Sequence, residues 1–300
     1  MKSIQVQAGN KINLSGILMD VSFGDGTLTD SRKYQRATIT VRVTQTYGGK
    51  TETSDIQQDM FATEFTSTGK PNPAWKSIND LKLMKTAQNV GIDNASHVRC
   101  TGTSLQENNF VSKTGQLING WRLRGSFVNE AKIADAASFV TEIFIMDKHD
   151  EVDKDGDVTG RLIIKGGIVQ YGGRLDVVEF IVESPDTVEY INQNWVENGT
   201  VTVKGRIRVT SQEEETQSSG WGEDVPETTT RFIRELIITT GDDECKEEDF
   251  AYDPIEIKKA FNERKARIEQ LQIEARSKAP KQGAGSAPSA EAGAKKYDWE

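Results

Sequence analysis

The sequence predicts a mainly β protein, built from two similar barrels in tandem with a helix and a flexible tail after them. The first observation is alternation: residues 200–209 and 230–240 place apolar and polar side chains at every second position, as half-buried strands do. The second is an order of elements that occurs twice. The third is a change of composition near the end of the chain, where Ala, Gly, Ser and Pro dominate residues 279–294.

The region around residue 200 defines the type of barrel. A helical pattern at residues 186–196 ends at Asn198 and Gly199, and the strand at 200–209 follows it. Residues 211–229 are polar and acidic, which predicts a long, mobile hairpin tip before the strand at 230–240. Helix, glycine stop, strand, long loop and strand form the second half of a Greek-key barrel of the OB type.

The first third of the chain supplies the other strands. Residues 11–21 form a strand pattern with Gly16 inside it, where a barrel strand often bends, and residues 36–44 alternate most clearly. Residues 60–65 predict another short strand, and residues 77–89 predict a helix. After that helix the same order of elements returns.

The repeat aligns residues 97–102 with 200–205, and residues 116–125 with 230–240. We therefore predict two tandem OB-like barrels, a helix and a disordered tail. The predicted segments are a basic first barrel at 1–134, an acidic second barrel at 135–250, a helix at 251–278 and a flexible tail at 279–300.

Charge distinguishes the two barrels. The net charge is −9. However, residues 1–134 carry 16 Lys and Arg against 11 Asp and Glu, a net +5, whereas residues 135–250 carry 11 against 27, a net −16. A polyanion is attracted to the first barrel and repelled by the second.

Composition and hydrophobicity bear on the cellular location of the protein. No apolar run reaches the roughly 18 residues that a membrane span needs, and residues 1–7 have no signal-peptide core, so we expect a cytoplasmic protein without membrane contact. Cys100 and Cys245 are too few for a disulfide framework, which favours structural roles for both.

The helix after the second barrel begins with Asp253 as a cap and Pro254 in its first turn. It has a partly periodic apolar side. Two interpretations stay open beside a less favoured nucleic-acid contact: the helix packs back on the second barrel, or it pairs with a second copy of itself in a homo-oligomer.

No catalytic constellation is present, so we expect neither enzyme activity nor a cofactor. The chain has only two histidines, His97 and His149. Asp153, Asp155 and Asp157 resemble the start of a calcium loop, but Ile164 stands where a bidentate Glu is required. We therefore predict no metal and interpret this acidic stretch as a solvated interdomain linker.

The chain resembles the OB-fold single-stranded DNA-binding proteins of bacteria and their phages. Residues 98–102 (Val-Arg-Cys-Thr-Gly) and 201–205 (Val-Thr-Val-Lys-Gly) match the strand that follows the helix in that family. The low-complexity segment leads to a short acidic and aromatic end: Tyr297, Asp298, Trp299 and Glu300. The resemblance implies single-stranded DNA as the partner and docking of replication or recombination proteins on this tail, although the usual terminal Pro-Phe is absent.

Cations for phosphates and aromatic rings for bases are both found in the first third of the chain. The candidate nucleic-acid-binding residues are Arg32, Lys33, Tyr34, Arg36, Arg42, Tyr47, Lys50, Phe110, Lys113, Trp121, Arg122 and Arg124. Alternation places Trp121 and Leu123 on one face of their strand, and Arg122 and Arg124 on the other. Either Trp121 is core or these two arginines lie to the side of the site.

The resulting prediction is non-enzymatic binding of single-stranded DNA in phage replication or recombination, in the host cytoplasm if the chain is phage-encoded. The alternative is a structural or assembly protein, such as a virion component, that uses its barrels for protein contacts.

Overall fold

The computed structural model describes residues 1–112, 116–217 and 226–278. The elements of the first half are β1 (Asn10–Thr27), β2 (Lys33–Tyr47), β3 (Lys50–Thr63), α1 (Pro73–Leu81), α2 (Ala87–Val90), β4 (His97–Thr101), β5 (Ser104–Glu107), β6 (Phe110–Val111), β7 (Leu117–Ile118), β8 (Trp121–Gly125) and β9 (Phe127–Glu130). Those of the second half are β10 (Ala136–Val152), β11 (Val158–Val169), β12 (Leu175–Val182), α3 (Pro185–Asn194), β13 (Thr200–Gln217), β14 (Pro226–Gly241) and α4 (Pro254–Lys278).

The first half closes into a barrel. Strands β1, β2 and β3 form an antiparallel meander, and β3 pairs in parallel with β8. Strand β9 follows β8 after one residue and pairs with β4, which pairs back with β1. Because β8 and β9 act as two halves of one bent strand, the order is that of a five-stranded Greek-key barrel of the OB type.

The second half repeats this order. Strands β10, β11 and β12 form the meander, β12 pairs in parallel with β14, and β13 connects β14 to β10. This repetition confirms the predicted mainly β fold with two OB-like barrels. Alternate strand positions fill the interiors: Leu18, Ile39, Val41, Ile56 and Leu123 in the first barrel, and Phe139, Ile143, Ile164, Phe180 and Leu236 in the second.

The two barrels share one sheet. Strands β1 and β10 pair antiparallel from Asn10 opposite Thr141 to Ser15 opposite Ala136. At Gly16 strand β1 turns from this partner towards β2, and a Cβ atom there would lie 2.1 Å from the carbonyl oxygen of Arg42. The predicted segment limit at residue 134 falls just before β10, and the limits stay a prediction because the sheet runs across them.

Helix α4 packs back on the barrels. Asp253 accepts a hydrogen bond from the backbone N–H of Ile255 at 2.8 Å, as a cap does, and Ile257 is buried. Arg264 forms a bidentate ion pair with Glu107 at the end of β5. Arg267 donates a hydrogen bond to the carbonyl oxygen of Leu175 in β12 at 3.5 Å, so the helix contacts both barrels, whereas the first of the two open interpretations places it on the second barrel alone. None of the helices in the described part of the chain is both long and apolar enough to cross a bilayer.

The first predicted helix was wrong in its limits. Helix α1 begins at Pro73, because the Asn72 side chain accepts a hydrogen bond from the N–H of Ala74 at 3.0 Å. It ends at Leu81, and Leu83, beyond the helix, is 85% exposed. The sequence interpretation followed the apolar residues and overlooked the cap.

The predicted loop at 211–229 was also too long. Strand β13 continues to Gln217 and β14 starts at Pro226, which leaves only residues 218–225 outside the described chain. Glu213 and Glu215 pair with Thr230 and Thr228 on the opposite strand. Threonine favours strands, and its run at 228–230 was a signal that the acidic residues obscured.

The acidic stretch at 153–157 is a hairpin turn between β10 and β11 and not an interdomain linker. One carboxylate oxygen of Asp153 accepts hydrogen bonds from the N–H groups of Asp155 and Asp157, both at 2.9 Å. This local pattern is that of an Asx-type turn. Within the described residues, no three His, Cys, Asp or Glu side chains are grouped closely enough to hold a metal ion.

Candidate nucleic-acid interface

The outer face of β8 carries two arginines. Burial alternates along this strand, so Trp121 and Leu123 point into the barrel while Arg122 and Arg124 point outwards. Strand β3 lies next to β8, with Asp59 opposite Arg124. We call the surface formed by Arg122, Arg124, Phe61 and Tyr34 the β8 face.

Aromatic rings lie beside these cations. Phe61 of β3 is 38% exposed, and its ring stacks on that of Tyr34 with centroids 5.4 Å apart and planes at 25°. The guanidinium of Arg124 lies 5.5 Å from the Phe61 ring centroid. A nucleobase stacked on the open part of Phe61 would therefore have a cation within reach of its phosphate.

The positive charges of Arg122 and Arg124 are not neutralised by an ion pair with any described carboxylate. Burial lowers the pKa of Arg124 below its ordinary value, and the positive charges of Arg122 and Arg174 lower it further against the opposing effect of Asp59. Among the described residues, no carboxylate forms an ion pair with Arg122 or Arg124, and the buried Nε of Arg122 has no hydrogen-bond partner. Such a group of desolvated cations is suited to an anionic ligand.

Arg42, on the same outer surface, differs. Its guanidinium donates two hydrogen bonds to the carboxylate of Asp55 on β3, both at 2.7 Å. The hydrogen bond to Asp55 raises the pKa of Arg42. Its charge is thus already paired across the strands.

Arg206 and Arg208 of the second barrel are likewise paired. Arg206 forms ion pairs with Glu183 and with Glu52 of the first barrel, and Arg208 with Glu183 and Glu235. Burial acts to lower the pKa of Arg208, but hydrogen bonds and charge from the two glutamates raise it overall. These arginines hold the barrels together and have little charge left for a polyanion.

The structure brings four of the predicted residues together and disperses others. Tyr34, Arg36, Arg122 and Arg124 lie on β2 and β8, on the outside of the first barrel. Arg32 and Lys33 are exposed before and at the start of β2, where Arg32 pairs with Asp30 at 2.7 Å.

Tyr47 and Lys50 lie at the far end of the β2–β3 hairpin. The Tyr47 hydroxyl donates to the side-chain oxygen of Gln45 at 2.9 Å, and the guanidinium of Arg206 lies 4.6 Å from its ring centroid. Tyr47 therefore takes part in the contact between the barrels.

Phe110 lies on β6 and is 48% exposed. Trp121 is only 8% exposed, and Arg234 of β14 lies over its ring at 4.2 Å, so no free ring face is available to a base unless Arg234 moves. Lys113 and the tail residues Tyr297, Asp298, Trp299 and Glu300 lie outside the described residues.

Sequence reasoning missed Phe61 and Arg234. Phe61 has the opposite parity to Met60 and Ala62, which are buried, so alternation along the whole of β3 predicts an outward ring. Because the predicted strand began only at residue 60, the alternation along residues 50–59 was not used to orient Phe61. No local signal places Arg234 over Trp121, because the two belong to different barrels.

Fold and surface together define a tandem OB-fold protein with a cationic, aromatic face on its first barrel. Its structure is similar to that of the wild-type single-stranded DNA binding protein from Thermus aquaticus, with a TM-score of 0.50, 9% sequence identity, and coverage of 81% of this chain and 96% of that one. A deletion mutant of the same Thermus aquaticus protein matches with a TM-score of 0.49, 12% identity, and coverage of 83% and 98%. At such identity the wild-type likeness supports the fold alone.

The chain belongs to the YorF family, whose sequence model matches residues 8–274. The match therefore spans both barrels and most of α4. No curated protein matches the chain in sequence.

Proposed function

We propose that this protein binds single-stranded DNA without catalysing a reaction, and that the β8 face of the first barrel is its main contact. The observation that carries the proposal is the pair Arg122 and Arg124, unpaired by any described carboxylate, beside the exposed ring of Phe61. Guanidinium groups neutralise phosphates, and exposed rings stack on bases that a single strand leaves free. The finer proposal is a role in phage DNA replication or recombination, in the host cytoplasm.

A direct test compares a labelled single-stranded oligonucleotide with the duplex of the same sequence, between about 50 and 200 mM salt. We expect the single strand to bind more tightly, because stacking on Phe61 needs an unpaired base. If four cations contact phosphates, the slope of log K against log salt is about −2.8 for a single strand. Absence of binding at the lower salt concentration would contradict the proposal.

Phe61→Ala separates stacking from charge. One stacked base contributes about 1–3 kcal/mol, so the variant is expected to bind single strands about 5- to 150-fold more weakly with an unchanged salt slope. Phe250→Ala removes a ring that is 64% exposed in the segment before α4 and is the matched control. Equal affinities of the two variants would remove Phe61 from the site.

A role in assembly is the second candidate, favoured by a groove of about 790 Å³ between the barrels. Phe232, which is 64% exposed, and Phe110 line it together with Ile163 and Ile181. A protein that used these barrels only for protein contacts, for instance in a virion, would show no shift of the oligonucleotide at any salt concentration. Self-association through this groove would appear as an increase of mass with concentration.

We also propose that the C-terminal residues Tyr297, Asp298, Trp299 and Glu300 dock replication or recombination proteins. The sequence pattern alone supports this proposal. Deletion of residues 279–300 is expected to leave oligonucleotide affinity unchanged or slightly raised, because the segment has no net positive charge and its last four residues are acidic and aromatic. A large loss of affinity would show that the tail itself binds DNA.

A further inference from the structure

A second groove of the first barrel lies between the β1–β2 hairpin and helix α1. Its volume is about 480 Å³, and residues 23–27 and 33–36 of the hairpin line one side. The other side is lined by Trp75 and Ile78 of α1 and by Lys82, the residue directly after the helix. The groove shares Tyr34 with the β8 face, but its other lining residues do not belong to that face.

The lining combines rings and cations. Phe23 is 45% exposed, and Trp75 is half-buried against the core. The ammonium group of Lys82 lies 5.8 Å from the centroid of the Phe23 ring. Lys33 and Arg36 add two further positive charges, while Asp25 is the carboxylate in the lining. Rings beside a surplus of cations are suited to a base with its phosphate.

Two glycines shape the hairpin side of the groove. Gly24 faces Arg36 and Gly26 faces Tyr34 across the β1–β2 ladder. A Cβ atom at Gly24 would lie 2.5 Å from Nε of Arg36, and one at Gly26 would lie 2.7 Å from the hydroxyl of Tyr34. The Arg36 and Tyr34 side chains therefore lie across β1, where a larger residue would displace them.

Tyr34 connects this groove with the β8 face. It lines the groove, and its ring stacks on Phe61, which in turn meets Arg124. Strands β8, β3, β2 and β1 are successive neighbours, so about 14 Å separates the two ends of this path at about 4.8 Å per strand. A single strand that covers about 4–16 nucleotides on one OB fold spans such a distance.

We propose that the groove between the β1–β2 hairpin and α1 is a second stacking subsite for the same DNA strand. Phe23 and Trp75 provide ring faces for a base, and Lys82 with Lys33 contacts the phosphates beside it. The inference rests on the proposed function, since it takes the strand as already held at the β8 face. It assigns DNA contact to α1, none of whose residues is among the nucleic-acid-binding candidates that the sequence predicts.

The test uses the full chain with Phe23→Ala and Lys82→Ala combined. The matched control combines Phe65→Ala with Lys76→Ala: Phe65 is 46% exposed, and Lys76 lies on α1 outside the groove. Affinity is measured for oligothymidylates of about 4 to 16 nucleotides, with urea unfolding to check that both variants are folded.

We expect the shortest oligonucleotides, held at the β8 face alone, to bind the groove variant and the control equally. Longer ones should bind the groove variant about 5- to 150-fold more weakly, with a salt slope reduced by about 0.7 for the lost Lys82 contact. Equal affinity of both variants for every length would overturn the subsite, while a continuing effect of Phe61→Ala would leave the proposed function intact. An equal loss at all lengths would also overturn it, because the groove would then be part of the primary site.

Discussion

Outward arginines of this chain fall into two classes, those that meet a carboxylate of the fold and those that do not. Arg42 meets Asp55, and Arg206 and Arg208 meet Glu183, whereas Arg122 and Arg124 meet no carboxylate among the described residues. Alternation in the sequence predicts that all five point outwards. It does not predict which are paired, because Asp55 lies on the neighbouring strand β3 and Glu183 follows β12, two strands away from β13, so both contacts depend on the assembled barrel.

Glu235, which pairs with Arg161 and Arg208, makes the stability of the fold depend on pH. Burial acts to raise the pKa of this carboxylate, but hydrogen bonds from Arg161 and Arg208 and their charges lower it below its ordinary value of 4.5. A carboxylate that is more acidic in the folded state stabilises the fold above pH 4.5, and this contribution is lost as the pH falls through the folded-state pKa.

Glu235→Gln is therefore expected to lower the free energy of unfolding by about 1–3 kcal/mol at neutral pH. The difference from the unmodified chain should shrink as the pH falls below 4.5. Urea unfolding at a series of pH values measures it. Glu179→Gln, which removes an exposed carboxylate of β12, is the control and should change stability by less than about 0.5 kcal/mol. A difference that grew towards low pH would refute the assigned sign.

At the scale of elements, the repeated glycine of the two aligned strands has two different roles. Gly102 has a φ of +63°, which favours glycine, and it ends β4. Gly205 lies inside β13, where a Cβ atom would come within 2.0 Å of the carbonyl oxygen of Ile237 and 2.5 Å of the Phe139 ring. The two aligned positions therefore both require glycine, but for different reasons: a positive φ at Gly102 and a close backbone approach at Gly205.

Gly205→Ala is expected to destabilise the second barrel by at least about 1–3 kcal/mol, because the β13–β14 ladder has to move to admit a methyl group. Gly9→Ala is the control, since nothing lies within 4 Å of its Cβ position; it should leave stability unchanged or raise it by up to about 1 kcal/mol. Chemical denaturation distinguishes the two. An equal effect of both substitutions would show that the close approach at Gly205 is relieved without cost.

The sequence predicts the strands of both barrels better than their ends. Period-two alternation identifies β2, β13 and β14, because each has one face on the core and one in solvent. The hydrophobic pattern misplaces α1, because the helix start is marked by the single cap residue Asn72. The pattern also makes β13 too short, because the outer part of the β13–β14 ladder is polar on both faces. The extra strands between β4 and β8 have no counterpart in the other copy, so the repeat did not reveal them.

For the whole molecule, the main feature that the sequence does not predict is the union of the barrels. The β1–β10 ladder joins residues about 130 positions apart, and the pair Arg206–Glu52 and the hydrogen bond from the N–H of Val209 to Ser54 at 3.0 Å reinforce it. The charge split, by contrast, follows from the sequence alone. It agrees with the difference between Arg122 and Arg124 of the first barrel, which form no ion pair with a described carboxylate, and Arg206 and Arg208 of the second, which do.

Because the sheet is continuous, we expect both barrels to unfold together. Urea unfolding followed by tryptophan fluorescence and by far-UV circular dichroism should give coincident single transitions. The tryptophans Trp75 and Trp121 belong to the first barrel and Trp195 to the second, so fluorescence samples both. Two separated transitions would show that the barrels are independent and that the ladder contributes little.

The most direct measurement compares the affinity of two double variants for single-stranded oligonucleotide over a range of salt concentrations. Arg122→Ala with Arg124→Ala removes the unpaired cations of the β8 face, and Arg99→Ala with Lys204→Ala removes two exposed cations elsewhere, one on each barrel. We predict that the first pair lowers affinity at least about tenfold at low salt and reduces the salt slope by about 1.4, while the second pair changes neither appreciably. Equal affinities and slopes for the two double variants, in folded protein, would contradict the assignment of DNA binding to the β8 face.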